Sequence, residues 1–99
     1  MFDLIICHNS LPHLRPLLPA MRELRRLIAR SGTLIILHDV SRARVNAIHG
    51  SSSSPEIRMH TLSHPLLLRW LLHRAGFRVR RCEDTADHFL LVCQPLARL

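Results

Sequence analysis

Two short apolar runs constrain this chain more than anything else in it. Residues 3–7, DLIIC, and residues 33–38, TLIILH, are rich in Leu and Ile, do not alternate with polar residues, and give way at once to polar positions. Runs of that length without alternation read as strands buried on both faces, the pattern of a parallel sheet. Between them, Leu17, Met21, Leu24 and Ile28 recur at helical spacing, with Arg22, Arg25, Arg26 and Arg30 turned away, so residues 17–30 read as a helix. Pro19 suits its first turn, and Gly32 is placed to cap its end. Asn, Ser and two Pro make residues 8–16 a loop. Strand, loop, helix, strand is a βαβ unit, whose crossover is almost always right-handed.

The rest of the chain extends that unit. Ser41 is the expected N-cap of a short helix reaching about His49, and the run GSSSSPE that follows reads as a flexible loop. Ser63 is expected to cap a third helix, with Pro65 in its first turn, Ala75 at its end and Gly76 as its stop. Residues 77–83, FRVRRCE, place Phe77 and Val79 inward and Arg78 and Arg80 outward. Residues 88–93, HFLLVC, follow after a turn at Asp84–Asp87, which makes the last two strands an antiparallel hairpin. The predicted order is β-α-β-α-α-β-β, an α/β fold in a single domain spanning 1–99.

Composition narrows the functional classes. A chain of 99 residues that is 47% hydrophobic can build one core and no more. Its 14 basic residues, all Arg, against 7 acidic ones give a surface that attracts polyanions weakly. Nucleic-acid readers add stacking aromatics to such charge. Here there are three Phe, one Trp and no Tyr, with the Phe at core positions, so nucleic acid is not the expected partner. Cys7, Cys82 and Cys93 form no Cys-x-x-Cys pair and read as reduced thiols of a cytoplasmic protein. Eight His invite a metal, but His8, His13, His38 and His49 lack the spacing of a closed zinc site, and no metal is expected. No secretory leader is visible, and no stretch reaches the ~18 apolar residues of a membrane span.

Four segments, in order, resemble the C-terminal half of a class I S-adenosylmethionine-dependent methyltransferase of the type 11-like kind. FDLIICHNSLPHL is similar to that family's fourth strand and the loop after it. MRELRRLIARSGTLIILHD resembles the next helix, its turn and the fifth strand. SRARVNAIHG resembles a segment that follows the fifth strand in one bacterial subgroup, and LLHRAGFRVRRCEDTADHFLLVCQP resembles the last helix and closing hairpin. The resemblance implies a partial Rossmann-like sheet, strands 4, 5, 6 and 7 of an order 3-2-1-4-5-7-6. The strand at 3–7 would then lie in mid-sheet. The family's first strand and glycine-rich loop have no counterpart in these residues. Met1 is therefore expected to mark a truncated gene, a misassigned start or the second part of a split protein. A missing N-terminal half becomes the expected partner.

The resemblance also implies methyl transfer from S-adenosylmethionine to an unidentified small-molecule acceptor, with the isolated chain inactive. The other class of reading is a noncatalytic remnant or interaction module, pairing through its first strand or binding polyanions through Arg. Open α/β sheets bind ligands at the carboxyl ends of their strands. Cys7, His8 and Asn9 would thus lie beside the cofactor, and Ser10, His38, Asp39, Ser41, Asn46 and His49 on the acceptor side. From residue types alone, His8-Asn9-Ser10 is equally a strand-ending turn. His38-Asp39 reads as a general base with its orienting carboxylate, or as a capping Asp beside a half-exposed His. Asn46 and His49, at i and i+3, either close over a substrate together with Ser41 and Arg42 or form a solvated face.

Overall fold

The computed structural model describes residues 1–50 and 63–97, with the side chains of His49 and Gly50 excepted. The elements are β1 (Phe2–His8), a 3-10 turn (Leu11–His13), α1 (Leu17–Leu27), β2 (Ile28–His38), α2 (Arg42–Gly50), α3 (Pro65–Ala75), β3 (Phe77–Asp84) and β4 (Phe89–Pro95). Among the described residues this order matches the one the sequence predicts. The sheet runs β1-β2-β4-β3, with β1 and β2 parallel and both other pairs antiparallel. That is the arrangement 4-5-7-6 implied by the resemblance. Of the expected loop at residues 50–56, Gly50 instead ends α2, and residues 51–56, with the start of the lead-in to α3, lie outside the described residues. Among the described residues no helix is long and apolar enough to cross a membrane.

Among the described residues the three α-helices serve one face of the sheet. Met21 of α1, Val45 of α2 and Leu68, Leu72 and Ala75 of α3 join Cys7, Leu34, Ile36, Phe77, Phe89, Leu91 and Cys93 in a single buried cluster. Strand side chains alternate, so the residues between these point to the other face. There Ile35, Leu37, Leu90 and Val92 are only partly covered, and Phe2, Leu4 and Ile6 are more than half exposed. Among the described residues β1 pairs only with β2, so its outer backbone edge is open as well.

Helix α1 ends three residues before the expected Arg30. Ile28 is already extended (φ −86°, ψ 142°), fully buried, and paired with Phe2. Its position satisfies the helical period, yet a β-branched residue gains more as the first buried position of a strand. Gly32 is accordingly not a helix cap. It lies inside β2, where the step from Phe2 to Leu4 on β1 is matched by the longer step from Ile28 to Thr33 on β2. The extra residues double back tightly. A Cβ at Gly32 would stand 2.7 Å from Cγ1 of Ile28 and 3.0 and 3.1 Å from the carbonyl oxygens of Ala29 and Asp3. Two of those three neighbours are backbone and cannot yield cheaply. Gly32→Ala is expected to destabilise the protein by about 2 kcal/mol, read as a lower urea midpoint at unchanged slope.

The helix ends around α3 follow the sequence with one change of cap. His64, not Ser63, is the N-cap, its Nδ1 accepting the Leu66 N–H at 3.2 Å. Gly76 ends the helix in the left-handed region at φ 101°, as a C-terminal Gly should. One Arg of the expected solvated stripe is misplaced by the sequence reading. Arg22, Arg26 and Arg30 are exposed, but Arg25 is buried. Its Nε donates to the Gly76 carbonyl (3.1 Å) and its Nη2 to the Leu96 carbonyl (2.8 Å). Position 25 flanks the apolar stripe one turn beyond Met21, so the long side chain runs under α3 rather than into solvent.

Candidate functional site

Strands β1 and β2 are parallel, so their carboxyl ends lie together, and the pairing of His38 with Phe89 brings the β3–β4 turn to the same end. The ladder runs one residue past β1, because the Asn9 N–H donates to the Leu37 carbonyl at 2.8 Å. Asn9 then turns the chain with φ 55°. That region is closed to most side chains, but Asn enters it readily.

The Asn9 side chain clamps the end of β2. Its Oδ1 accepts the Asp39 N–H at 3.1 Å, and its Nδ2 donates to Asp39 Oδ2 at 3.1 Å. His8 reaches the same carboxylate, with Nε2 2.8 Å from Asp39 Oδ2. The hydrogen bonds from Asn9 and then His8 hold the Asp39 carboxyl below the ordinary value of 3.8. The sign follows directly. A depressed carboxyl favours the folded clamp above that ordinary value, and the contribution disappears as pH falls through the depressed one. In an NMR titration the Asp39 carboxyl signal and the Asn9 side-chain amide signals are expected to move with a midpoint below 3.8, and Asn9→Ala is expected to raise the Asp39 midpoint.

The other sequence-derived positions surround this clamp. Cys7 is buried in the helical core, which pushes its thiol up. Cys93, buried in the same cluster, is pushed up to about 12. Both are free, as is Cys82. The carbonyl of Ser10 closes the 3-10 turn by accepting the His13 N–H. His38 is 3% exposed on the inner face, and Asp39 directs its carboxylate to His8 instead. His38, Asn9, Asp39, Val40, Val45 and Ile48 line a pocket of about 170 Å³ between the end of β2 and α2. Ser41 caps α2, its Oγ accepting the Arg44 N–H at 3.1 Å, and Arg42 reaches Asp84 at the end of β3. Asn46 is half-buried on α2, while the side chain of His49 lies outside the described residues.

The His8–Asp39 pairing is the feature that sequence reasoning missed. The two residues are 31 apart, and only the parallel register joins them. An Asn directly after a buried strand was the available signal, since Asn favours left-handed turns. No group of three or more His, Cys, Asp and Glu among the described residues is placed to hold a metal ion.

No family model matches the sequence, and no curated protein is similar to it. Solved structures do match. A SAM-dependent methyltransferase from Aquifex aeolicus superposes with a TM-score of 0.67 at 19% identity, over 95% of this chain and 46% of that one. The CurJ carbon methyltransferase gives 0.68 at 22%, over 98% and 30%. This is the methyltransferase fold. The mitomycin 7-O-methyltransferase MmcR matches it too, with a TM-score of 0.69 at 11% identity over 96% of this chain and 30% of that one. The chain thus spans from less than a third to about half the length of these methyltransferases, and S-adenosylmethionine (SAM) is the cofactor that goes with the fold.

Proposed function

We propose that this chain is the acceptor-side part of a SAM-dependent methyltransferase and acts with a strand-and-loop segment packed beside β1. The observation that carries the reading is the open side of β1. Its outer edge, unpaired among the described residues, and the exposed Phe2, Leu4 and Ile6 lead straight to the His8–Asn9–Asp39 clamp. An uncovered apolar edge strand is a site for strand addition, and covering it with another strand places the new strand's carboxyl end beside the clamp.

In this division of labour the added segment holds the cofactor. The three glycines, Gly32, Gly50 and Gly76, stand in no Gly-x-Gly context, and close backbone approach to a nucleotide-type ligand needs one. The chain described here supplies the acceptor pocket, the clamp and α2. Methyl transfer is a direct displacement at the sulfonium methyl, so these residues contribute positioning and electrostatics. The acceptor is a small molecule, as the pocket of about 170 Å³ suggests. Free thiols at all three Cys suit a cytoplasmic setting.

Calorimetry tests the reading. The 99-residue chain alone is expected to give no micromolar binding of SAM, and a complex with a complementing segment is expected to bind it. Micromolar binding by the chain alone defeats the proposed division. The open edge of β1 also favours a second reading, a noncatalytic module that pairs with a strand of another protein; a complex that forms through β1 but never binds SAM would support it.

A further inference from the structure

We propose that the outward side of α3 docks on an anionic phospholipid surface, lying in the membrane interface rather than crossing it. The proposal goes beyond the methyltransferase reading and does not depend on it. Leu66 is 71% exposed, Trp70 55% and Leu67 48%, so three large apolar side chains of one helix stand largely in solvent. The opposite side of the same helix carries Leu68, Leu72 and Ala75 into the core. An 11-residue helix that buries one apolar side and exposes another presents a surface for a partner to cover.

Helix geometry sets out what that surface offers. Successive residues turn by about 100°, so Leu66 and Trp70, one turn apart, form its crest. Arg69 and His73 flank the crest on one side and Leu67 and Arg74 on the other, all four exposed. The Arg74 guanidinium lies 5.2 Å from the centre of the Trp70 ring, a cation–π contact that keeps charge and aromatic together. No Asp or Glu occurs between Ser63 and Gly76. An apolar crest containing Trp, with cations on both flanks, suits the headgroup region of a bilayer, where Trp favours the boundary and Arg reaches phosphate. The chain's net charge of +7 adds long-range attraction to the same surface.

Other occupants fit less well. A second copy meeting this one through α3 sets Arg69 and Arg74 against their own kind. A segment added beside β1 joins the far edge of the sheet, since α3 packs on β3 at the other end of the order β1-β2-β4-β3. An acidic protein needs a groove cut to this crest, whereas a lipid interface closes round any convex apolar shape.

Trp70 is the sole Trp of the chain and there is no Tyr, so its fluorescence reports on this face. With vesicles of equal parts phosphatidylserine and phosphatidylcholine, its emission is expected to shift to the blue, and brominated phosphatidylcholine in the bilayer is expected to quench it. Binding to these vesicles is expected to be at least about tenfold tighter than to phosphatidylcholine alone. Arg69→Gln with Arg74→Gln is expected to remove that preference, and Leu66→Asn to weaken binding at least about fivefold. Arg22→Gln with Arg30→Gln removes the same charge from exposed positions of α1 and β2, and is expected to change binding by less than about twofold. No shift with the anionic vesicles, or binding without quenching, overturns the proposal. An equal loss in the Arg22 and Arg30 variant marks general attraction to the chain's charge and overturns it too. So does an equal blue shift with soluble poly-glutamate, which assigns the face to an acidic protein. None of these readouts involves SAM, so they stand apart from the calorimetry that tests the methyltransferase reading.

Discussion

Replacing Arg25 by Met is expected to destabilise the protein by about 3 kcal/mol. The side chain is 8% exposed, and its guanidinium satisfies the carbonyls of Gly76 and Leu96. Hydrogen bonds from a charged donor contribute roughly 1.5–3 kcal/mol each, and an acceptor left bare in the interior costs about 1–3 kcal/mol. Met retains most of the packing, so the loss is less than the sum. For a domain of this size, 3 kcal/mol lowers the melting temperature by roughly 12–24 °C. Differential scanning calorimetry reads the shift directly. Arg22→Met, on the exposed face of the same helix, is the control and is expected to move the transition by less than about 0.5 kcal/mol.

Phe89→Ala is expected to cost still more, about 3–5 kcal/mol, the usual range for emptying a buried aromatic site. Phe89 is wholly buried and sits opposite both His38 and Asp84 in the sheet. The void therefore opens under the carboxyl end of β2, where the pocket and the clamp lie. Denaturant unfolding measures the stability loss. Amide exchange at Leu37 and Asp39, followed in the same variant, is expected to accelerate more than exchange at Leu34, farther along the strand. If these amides all accelerate equally, the core there opens as a whole and the local coupling is wrong.

The contrast between Arg25 and the strands explains what the sequence made legible. Residues 3–7 and 33–38 announce themselves because they are apolar without alternation, although the structure buries only one face of β1 and leaves Leu4 and Ile6 more than half exposed on the other; the four-strand order is the one the family resemblance implies. Helix ends were legible where geometry demands a particular residue, as at Gly76 with φ 101°. They were not legible where two periods agree. Ile28 fits the last turn of a helix and the first position of a strand, and sheet pairing with Phe2 decides between them. Gly32 misled for a related reason. A glycine needed for close backbone approach looks the same in sequence as one needed for a left-handed cap.

The candidate site divides in the same way. Its location at the strand ends was legible, since any parallel pair puts its carboxyl ends together. The partner of Asp39 was not. Sequence adjacency suggested His38, but neighbours on a strand point to opposite faces, and His38 is turned into the core. His8 meets Asp39 because Asn9 adopts a conformation that sequence allows without requiring.

The Arg25 joint also bears on how long the folded molecule lasts. Its two acceptors lie 51 and 71 residues downstream, beyond α3 and beyond the closing hairpin. No local segment can make these bonds, and contacts that span so much chain carry a heavy closure cost before they give anything back. They are expected to form after the main barrier to folding, so that Arg25→Met speeds unfolding and leaves the folding rate nearly unchanged in stopped-flow measurements. Interactions of that kind hardly change how fast a protein folds, and act on how slowly it comes apart. The residues around Leu96, at the far end of the described chain, are thus expected to set the lifetime of a sheet whose other end carries the His8–Asn9–Asp39 clamp.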